Sequence, residues 1–382
     1  MIYLDNAATS FPKPRRVIEE QLRCMRAYCG NPGRGSHALS RAAAEKIYEC
    51  RTEAAELFGL ENPESVMFTM NATMAINTVI KGVLQMGDHV LLSDMEHNAV
   101  YRPIYKMARA GLISYDIFPT YANDPSRTAS DICAAIEGLI KPRTRMLICA
   151  HASNICSASL PIAEIGALCR RHGIFFALDA AQSAGHMPIN MERMQIDALC
   201  APGHKGLLGP QGSGLLLLSE AAILDTLMEG GSGVNSLEGS MPDESPERYE
   251  AGTLPTPAIA GLCEGIRAVK RIGVENVHEY TCALTASLRE RLLQMERVRV
   301  YAPHHEGAVL LFHIDGISAD RLGEMLDRQG ICVRAGYHCS ALAHATLQTP
   351  NGGAVRISTG FFNTPAEIQR VADVISTICN NA

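Results

Sequence analysis

The chain has 382 residues, 47% of them hydrophobic and 19% charged, which excludes a largely disordered protein. Lys and Arg total 34 against 40 Asp and Glu, a formal charge of −6, and a nucleic-acid surface would need clustered excess positive charge instead. No apolar run approaches the roughly 20 residues of a membrane helix, and residues 1–5 lack the basic and apolar regions of a signal peptide, so a cytoplasmic protein without membrane or nucleic-acid partners is expected.

Taken in chain order, 66–69 reads as a strand and 72–85 as an amphipathic helix. A strand at 89–93, a helix at 99–110, a strand at 113–118 and a helix at 132–140 follow. Next come an apolar strand at 146–150, a helix at 162–171, and strands at 175–179, 198–201 and 214–218. Near-continuous apolar strands alternating with helices predict a mostly parallel seven-stranded sheet covered by helices. The stretch 230–248, with Gly230-Gly231-Ser232-Gly233 and an acidic run, reads as a loop. Beyond it, helices at 257–272 and 277–295, strands at 298–301, 309–314, 332–334 and 355–358, and helices at 319–329 and 365–379 predict a smaller α+β unit. The expected division is 15–255 for the large domain and 256–382, with 1–14, for the small one. The 13 cysteines are scattered and form no C-x-x-C pair. That pattern points to reduced thiols, not to a disulfide framework or a metal site.

Four strand-to-loop junctions of the large unit carry chemistry, at the position where open α/β sheets place ligands. Asn71-Ala72-Thr73 opens a helix, whose free N–H groups and the Thr73 hydroxyl suit a phosphate; a plain helix cap is the alternative. Asp179 ends an apolar strand, where burial is costly unless a cationic or hydrogen-bonding partner meets it; an Asp capping the next turn is the alternative. Lys205, in Ala201-Pro202-Gly203-His204-Lys205-Gly206, stands in an apolar, glycine-flanked turn where desolvation would free a nucleophilic amine. The bland reading, a surface lysine, fits that neighbourhood poorly. His97, in Glu96-His97-Asn98, could stack on a flat ring or act as acid or base, or simply cap or pack.

No single junction is specific, but their order resembles the fold-type I enzymes that use pyridoxal phosphate (PLP). More narrowly it resembles the class V aminotransferase superfamily and its cysteine desulfurase branch, in the group with a compact catalytic loop. The similarity spans essentially the whole chain, from Tyr3-Leu4-Asp5-Asn6-Ala7-Ala8-Thr9 and Asn31-Pro32-Gly33-Arg34-Gly35-Ser36-His37 onward. It continues through Asn71-Ala72-Thr73, Glu96-His97-Asn98, Ser153-Asn154, Asp179-Ala180-Ala181-Gln182 and Gly203-His204-Lys205. Tyr249-Glu250-Ala251-Gly252-Thr253, Arg334-Ala335-Gly336-Tyr337-His338-Cys339, Arg356-Ile357-Ser358 and Phe362-Asn363-Thr364 complete it.

The resemblance implies that Lys205 binds PLP covalently and moves protons at the substrate α- and β-carbons. Asp179 would pair with the pyridine nitrogen, His97 would stack on the ring, and Gln182 and Asn154 would meet the ring oxygen or orient the substrate. Ala72, Thr73 and His204 would hold the phosphate, with Thr253 reaching it from the second subunit of a homodimer. Arg356 would grip the substrate carboxylate. Cys339, beside His338 and with Arg334 nearby, would attack the sulfur of L-cysteine, giving alanine and a persulfide for a sulfur-acceptor protein; an inert cysteine is the alternative reading. The same scaffold admits a selenocysteine lyase, or an aminotransferase or lyase acting on another amino acid. Pro202 stands where these families usually carry a phosphate-binding Ser, Tyr337 where a His is common, and Ser157-Ala158 where Gly-Thr is frequent.

Overall fold

In a computed structural model the protein is described over residues 1–33 and 35–381; Arg34, from the 31–37 motif, and Ala382 lie outside the described residues. The chain begins with β1 (Ile2–Tyr3), α1 (Arg15–Ala27) and α2 (Ala38–Phe58). There follow β2 (Val66–Thr69), α3 (Ala72–Val83), β3 (His89–Ser93), α4 (Asn98–Arg109), β4 (Ser114–Phe118), α5 (Ala129–Leu139) and β5 (Thr144–Ala150). Then come α6 (Ile162–His172), β6 (Phe175–Asp179), β7 (Ala198–Pro202) and β8 (Gly214–Leu218). The C-terminal part comprises α7 (Thr256–Ile272), α8 (Val274–Leu293), β9 (Val298–Val300), β10 (Val309–Ile314), α9 (Ala319–Arg328), β11 (Ile331–Cys332) and β12 (Arg334–Gly336). It ends with α10 (Ala341–Thr346), β13 (Ala354–Ser358) and α11 (Pro365–Asn381).

Seven strands form the central sheet in the order β2-β8-β7-β6-β5-β3-β4. Pairing is parallel from β7 through β4, and β8 alone runs against its neighbours β7 and β2. The sheet separates two apolar cores, one holding Leu147, Phe176 and Leu178 and the other Ile148, Ala177 and Cys200. Residues of both parities are buried because helices cover both faces, which is why these strands read as unbroken apolar runs. A second sheet, β12-β13-β10-β9, is antiparallel and packs on α8, α9 and α11 around Phe312, Val355 and Ile375.

Three features depart from the sequence reading. Residues 332–334 are not one strand: β11 pairs in parallel with β1, whereas β12 joins the antiparallel sheet. The sequence boundary grouped α7 with the C-terminal part, yet its buried face of Ile259, Leu262, Cys263 and Ile266 lies in the core of the seven-stranded sheet. Helices α1 and α2, which the periodicity did not mark, pack against α7. Only Val17 and Cys24 of α1 are buried, too narrow a stripe to stand out.

Helix α2 also fixes the loop that carries Thr253. Arg51 and Glu250 are both buried and meet in a fork, with Arg51 Nη1 at 2.9 Å from Glu250 Oε1 and Nη2 at 2.5 Å from Oε2. The same Oε1 accepts the Phe68 N–H of β2 at 2.6 Å. Burial alone pushes the Glu250 carboxyl up, and the guanidinium opposes it. The pair therefore anchors the segment carrying Thr253 to the edge of the main sheet. Removing one partner strands the other charge, so Arg51→Leu should cost about 3–5 kcal/mol in denaturant unfolding. Adding Glu250→Leu should recover part of that loss; a strictly additive double variant would contradict the coupling.

Candidate active site

The parallel strands deliver their functional side chains at their carboxyl ends. There, Ala72, Thr73, His97, Asn154, Asp179, Gln182, His204 and Lys205 line a single cavity, together with Pro202 and Ala181. Eight of the residues expected from the sequence thus converge from five separate strand ends.

At one end lies the start of α3. Asn71 does cap the helix, its Oδ1 accepting the Met74 N–H at 2.9 Å. The cap leaves the N–H groups of Ala72 and Thr73 without an acceptor among the described residues, and the Thr73 hydroxyl exposed. The cap reading holds, and it leaves these donors open toward the cavity. His204 adds a buried Nδ1 with no hydrogen-bond partner among the described residues. Burial, then Lys205 and Lys13, pushes this imidazole down to about 4, so it is neutral. Unpaired N–H groups at a helix N-terminus, a hydroxyl and an orphaned ring nitrogen fit a phosphate.

Asp179 and Lys205 lie deeper. Asp179 is buried; its Oδ1 accepts the Ala181 N–H at 2.9 Å and no donor among the described residues meets Oδ2. Burial raises its carboxyl, with the Ala181 N–H and Lys205 opposing. Lys205 Nζ makes no hydrogen bond among the described residues, and desolvation lowers the amine to about 8; Asp179 resists this, whereas Arg356 and Arg334 favour it. The turn before Lys205 is tight: a Cβ at Gly203 would lie 2.2 Å from Ser213 Oγ. The His204 carbonyl accepts the Ser10 N–H at 3.0 Å and Lys13 Nζ at 2.7 Å, so the N-terminal segment braces this turn. A carboxylate lacking a donor and an amine lacking an acceptor suit a cationic aromatic nitrogen and an aldehyde, and the residues present fit PLP.

His97 lies at the cavity wall, lowered to about 4 by burial and by Lys205, Arg334, Arg356 and Arg102. Its Nδ1 accepts the Ala99 N–H at 3.0 Å as the cap of α4, so the proton of the neutral ring sits on Nε2. Gln182 is partly committed, donating Nε2 to the Ala7 carbonyl at 3.0 Å. Asn154 is more so: Nδ2 donates to the His338 carbonyl at 2.9 Å, and Oδ1 accepts the Ser340 hydroxyl at 2.6 Å.

Three expected residues stand outside this cavity. Cys339 lines an adjoining groove that shares Thr73, His97 and Ala99 with it. The thiol is exposed, and the Cys339 carbonyl accepts the Asn98 N–H at 2.8 Å beside His97. Arg356 is buried; Nη2 bonds Asp5 Oδ1 at 2.6 Å and Nη1 the Asn154 carbonyl at 2.9 Å, leaving Nε with no partner among the described residues. Thr253 is exposed on the loop that Glu250 anchors. Of the departures, Pro202 lines the cavity and has neither hydroxyl nor N–H to offer. The Tyr337 hydroxyl accepts the Gly352 N–H at 2.9 Å. Ser157 lines a second cavity across Lys205 and donates to the Val309 carbonyl at 2.6 Å, tying that wall to the antiparallel sheet.

Sequence reasoning assigned no role to Asp5, Ser340 or Glu96. Glu96 is wholly buried behind the cavity, its Oε1 accepting the Ser93 hydroxyl and the Ala150 N–H, and Oε2 without a partner among the described residues. Its place in Glu96-His97-Asn98 was the only available signal.

The comparisons with known proteins converge on one family. Residues 2–371 match the family described as Aminotransferase class-V. A probable cysteine desulfurase from Methanothermobacter thermautotrophicus is 31% identical over 99% of this chain and 94% of its own. A cysteine desulfurase from Salmonella agona is 29% identical over 99% and 93%. Among solved structures, the apo cysteine desulfurase of Thermococcus onnurineus superposes with a TM-score of 0.90 at 28% identity, covering 100% of this chain and 95% of that one.

Glu96 gives a pH test. Burial, chiefly, raises its carboxyl from 4.5 to about 8, with Ser93 and Ala150 opposing. Between those values the unfolded chain binds fewer protons than the folded one, so this group makes stability fall as pH rises. Glu96→Gln should therefore raise the melting temperature relative to the native protein more at pH 8 than at pH 4.5. An equal difference at both would show that Glu96 is not held protonated.

Proposed function

Since the chain belongs to the class V aminotransferase family, a family that uses PLP, we propose that it is a PLP-dependent cysteine desulfurase. L-cysteine and the Cys339 thiol would give L-alanine and a Cys339 persulfide. The observation that carries this reading is an exposed cysteine, Cys339, that lines a groove with His97, a groove sharing Thr73, His97 and Ala99 with the cavity around Lys205. The relatives named as cysteine desulfurases support it.

Bound PLP would supply an electron sink for negative charge at the substrate α-carbon. Asp179 Oδ2 would hold the proton on the pyridine nitrogen, a carboxylate whose ionised form Lys205 already favours. Ala72, Thr73 and His204 would bind the phosphate, and Gln182 the ring oxygen. Lys205, with an amine lowered to about 8, has far more free base at neutral pH than an ordinary lysine and would move protons at the substrate α- and β-carbons. His97 would pack on the ring with Nε2–H as its donor. Arg356, already oriented by Asp5 and the Asn154 carbonyl, would face the substrate carboxylate. Cys339 Sγ would attack the substrate sulfur: the S–S bond forms, the Cβ–S bond breaks with its electron pair left on carbon, and Cβ takes a proton. A thiol of an acceptor protein would then remove the sulfur. Thr253, exposed and apart from its own chain's cavity, would complete the phosphate site of a second subunit in a homodimer.

Purified protein mixed with L-cysteine should yield alanine and protein persulfide. Lys205→Ala should abolish both, and Cys339→Ala should remove the persulfide and lower alanine formation about a hundred-fold or more. A keto acid in place of alanine would point to an aminotransferase. Activity confined to selenocysteine and surviving Cys339→Ala would point to a selenocysteine lyase. Pro202→Ser should tighten PLP binding by about ten-fold, the effect of one added hydrogen bond to a charged group. Unchanged affinity in titration of the apo-protein would contradict the assignment of Pro202 to the phosphate end.

A further inference from the structure

The loop carrying Cys339 is held by two histidines that the proposed reaction does not use. His338 and Cys339 both adopt left-handed backbone, with φ of 50° and 57°. Non-glycine residues stay there only when surrounding contacts over-determine them. Here those contacts form a directional chain. His338 Nε2 lies 3.0 Å from the Arg334 carbonyl, which can only accept, so Nε2 carries the proton. The neutral ring then presents a bare Nδ1. That atom lies 3.1 Å from His344 Nε2, which must donate. His344 Nδ1 is bare in turn and receives the Thr349 hydroxyl proton at 2.8 Å.

The opposite assignment for His344 would face two lone pairs across the contact between the rings, or require an imidazolium. Burial excludes the second option at neutral pH, pushing His338 down to about 3 and His344 to about 4. The two rings lie side by side and nearly coplanar, with centroids 5.3 Å apart and 9° between their planes, as an in-plane N–H···N bond requires, and the Tyr337 ring meets His344 edge-on at 5.3 Å.

We propose that His344, backed by Thr349, is a positioning residue for the Cys339 thiol: its Nε2–H, given to His338 Nδ1, locks the left-handed turn that sets Cys339 in the groove beside His97. The part of this that concerns turnover rests on reading Cys339 as the sulfur-accepting thiol. The brace itself does not. Gln can imitate the brace, offering an N–H to His338 and an oxygen to Thr349; Ala cannot.

The test compares His344→Ala, His344→Gln and Thr349→Val in the PLP-loaded protein. His344→Ala should lower kcat for alanine formation from L-cysteine about ten-fold with little change in KM, as expected of a displaced reacting group. His344→Gln should restore most of it, and Thr349→Val should cause a smaller loss of the same kind. Iodoacetamide modification of Cys339, read by peptide mass against the other exposed cysteine, Cys29, should change in rate in His344→Ala and return in His344→Gln. Nitrogen NMR should find both rings neutral with the proton on Nε2; a proton on His344 Nδ1 would overturn the proposal even if His344→Ala failed to fold. Native kcat and alkylation rate in His344→Ala, or Gln no better than Ala, would also overturn it. If the native protein makes no Cys339-dependent alanine, the desulfurase reading fails, while alkylation and tautomer still decide the brace.

Discussion

Asp179 and Lys205 bring two ionisable groups into an apolar wall where neither has its full set of partners. Among the described residues Asp179 Oδ2 has no donor and Lys205 Nζ no acceptor, and burial drives both toward their neutral forms. Such an arrangement costs stability unless a bound group completes it. It persists because the main sheet, with strands buried on both faces, holds the ends of β6 and β7 in register. The rest of the site follows from this position: the α3 N-terminus and His204 at one end of the cavity, His97 on its wall, and the Cys339 groove beyond.

The second constraint is long-range pairing of charge. Asp5 and Arg356, 351 positions apart, bond at the junction between the first strand and the antiparallel sheet. Asn154 links that arginine, through its carbonyl, to the Cys339 loop, through its amide. One residue of the main body thus touches both the guanidinium proposed for the substrate carboxylate and the turn that carries the thiol. Rigid coupling of this kind keeps reacting groups within the narrow tolerances that proximity requires.

Much of the fold was legible because of how it is covered. Strands between helices read as continuous apolar runs such as Leu215–Leu218, and strand-end residues such as Asp179 and Lys205 stood out against them. What escaped is what depends on contact rather than pattern. Helix α2 is rich in alanine and buries Lys46 and Arg51, so its stripe carries no strong period. Helix α7 follows the loop in sequence but returns to the main core. The same holds within the site, where motif order brought out the cavity residues. That Asn154 clamps the thiol loop, that Asp5 holds Arg356, and that His344 braces His338 rest on bonds between distant or irregular segments. No spacing rule reveals them.

The central claim is that the desolvated amine of Lys205 is the attachment point for PLP. Borohydride reduction of the PLP-loaded protein followed by peptide mapping tests it most directly. The account predicts a phosphopyridoxyl group on the Lys205 peptide alone, lost in Asp179→Ala through weakened retention of the cofactor. The same group on another lysine, or on none, would contradict it.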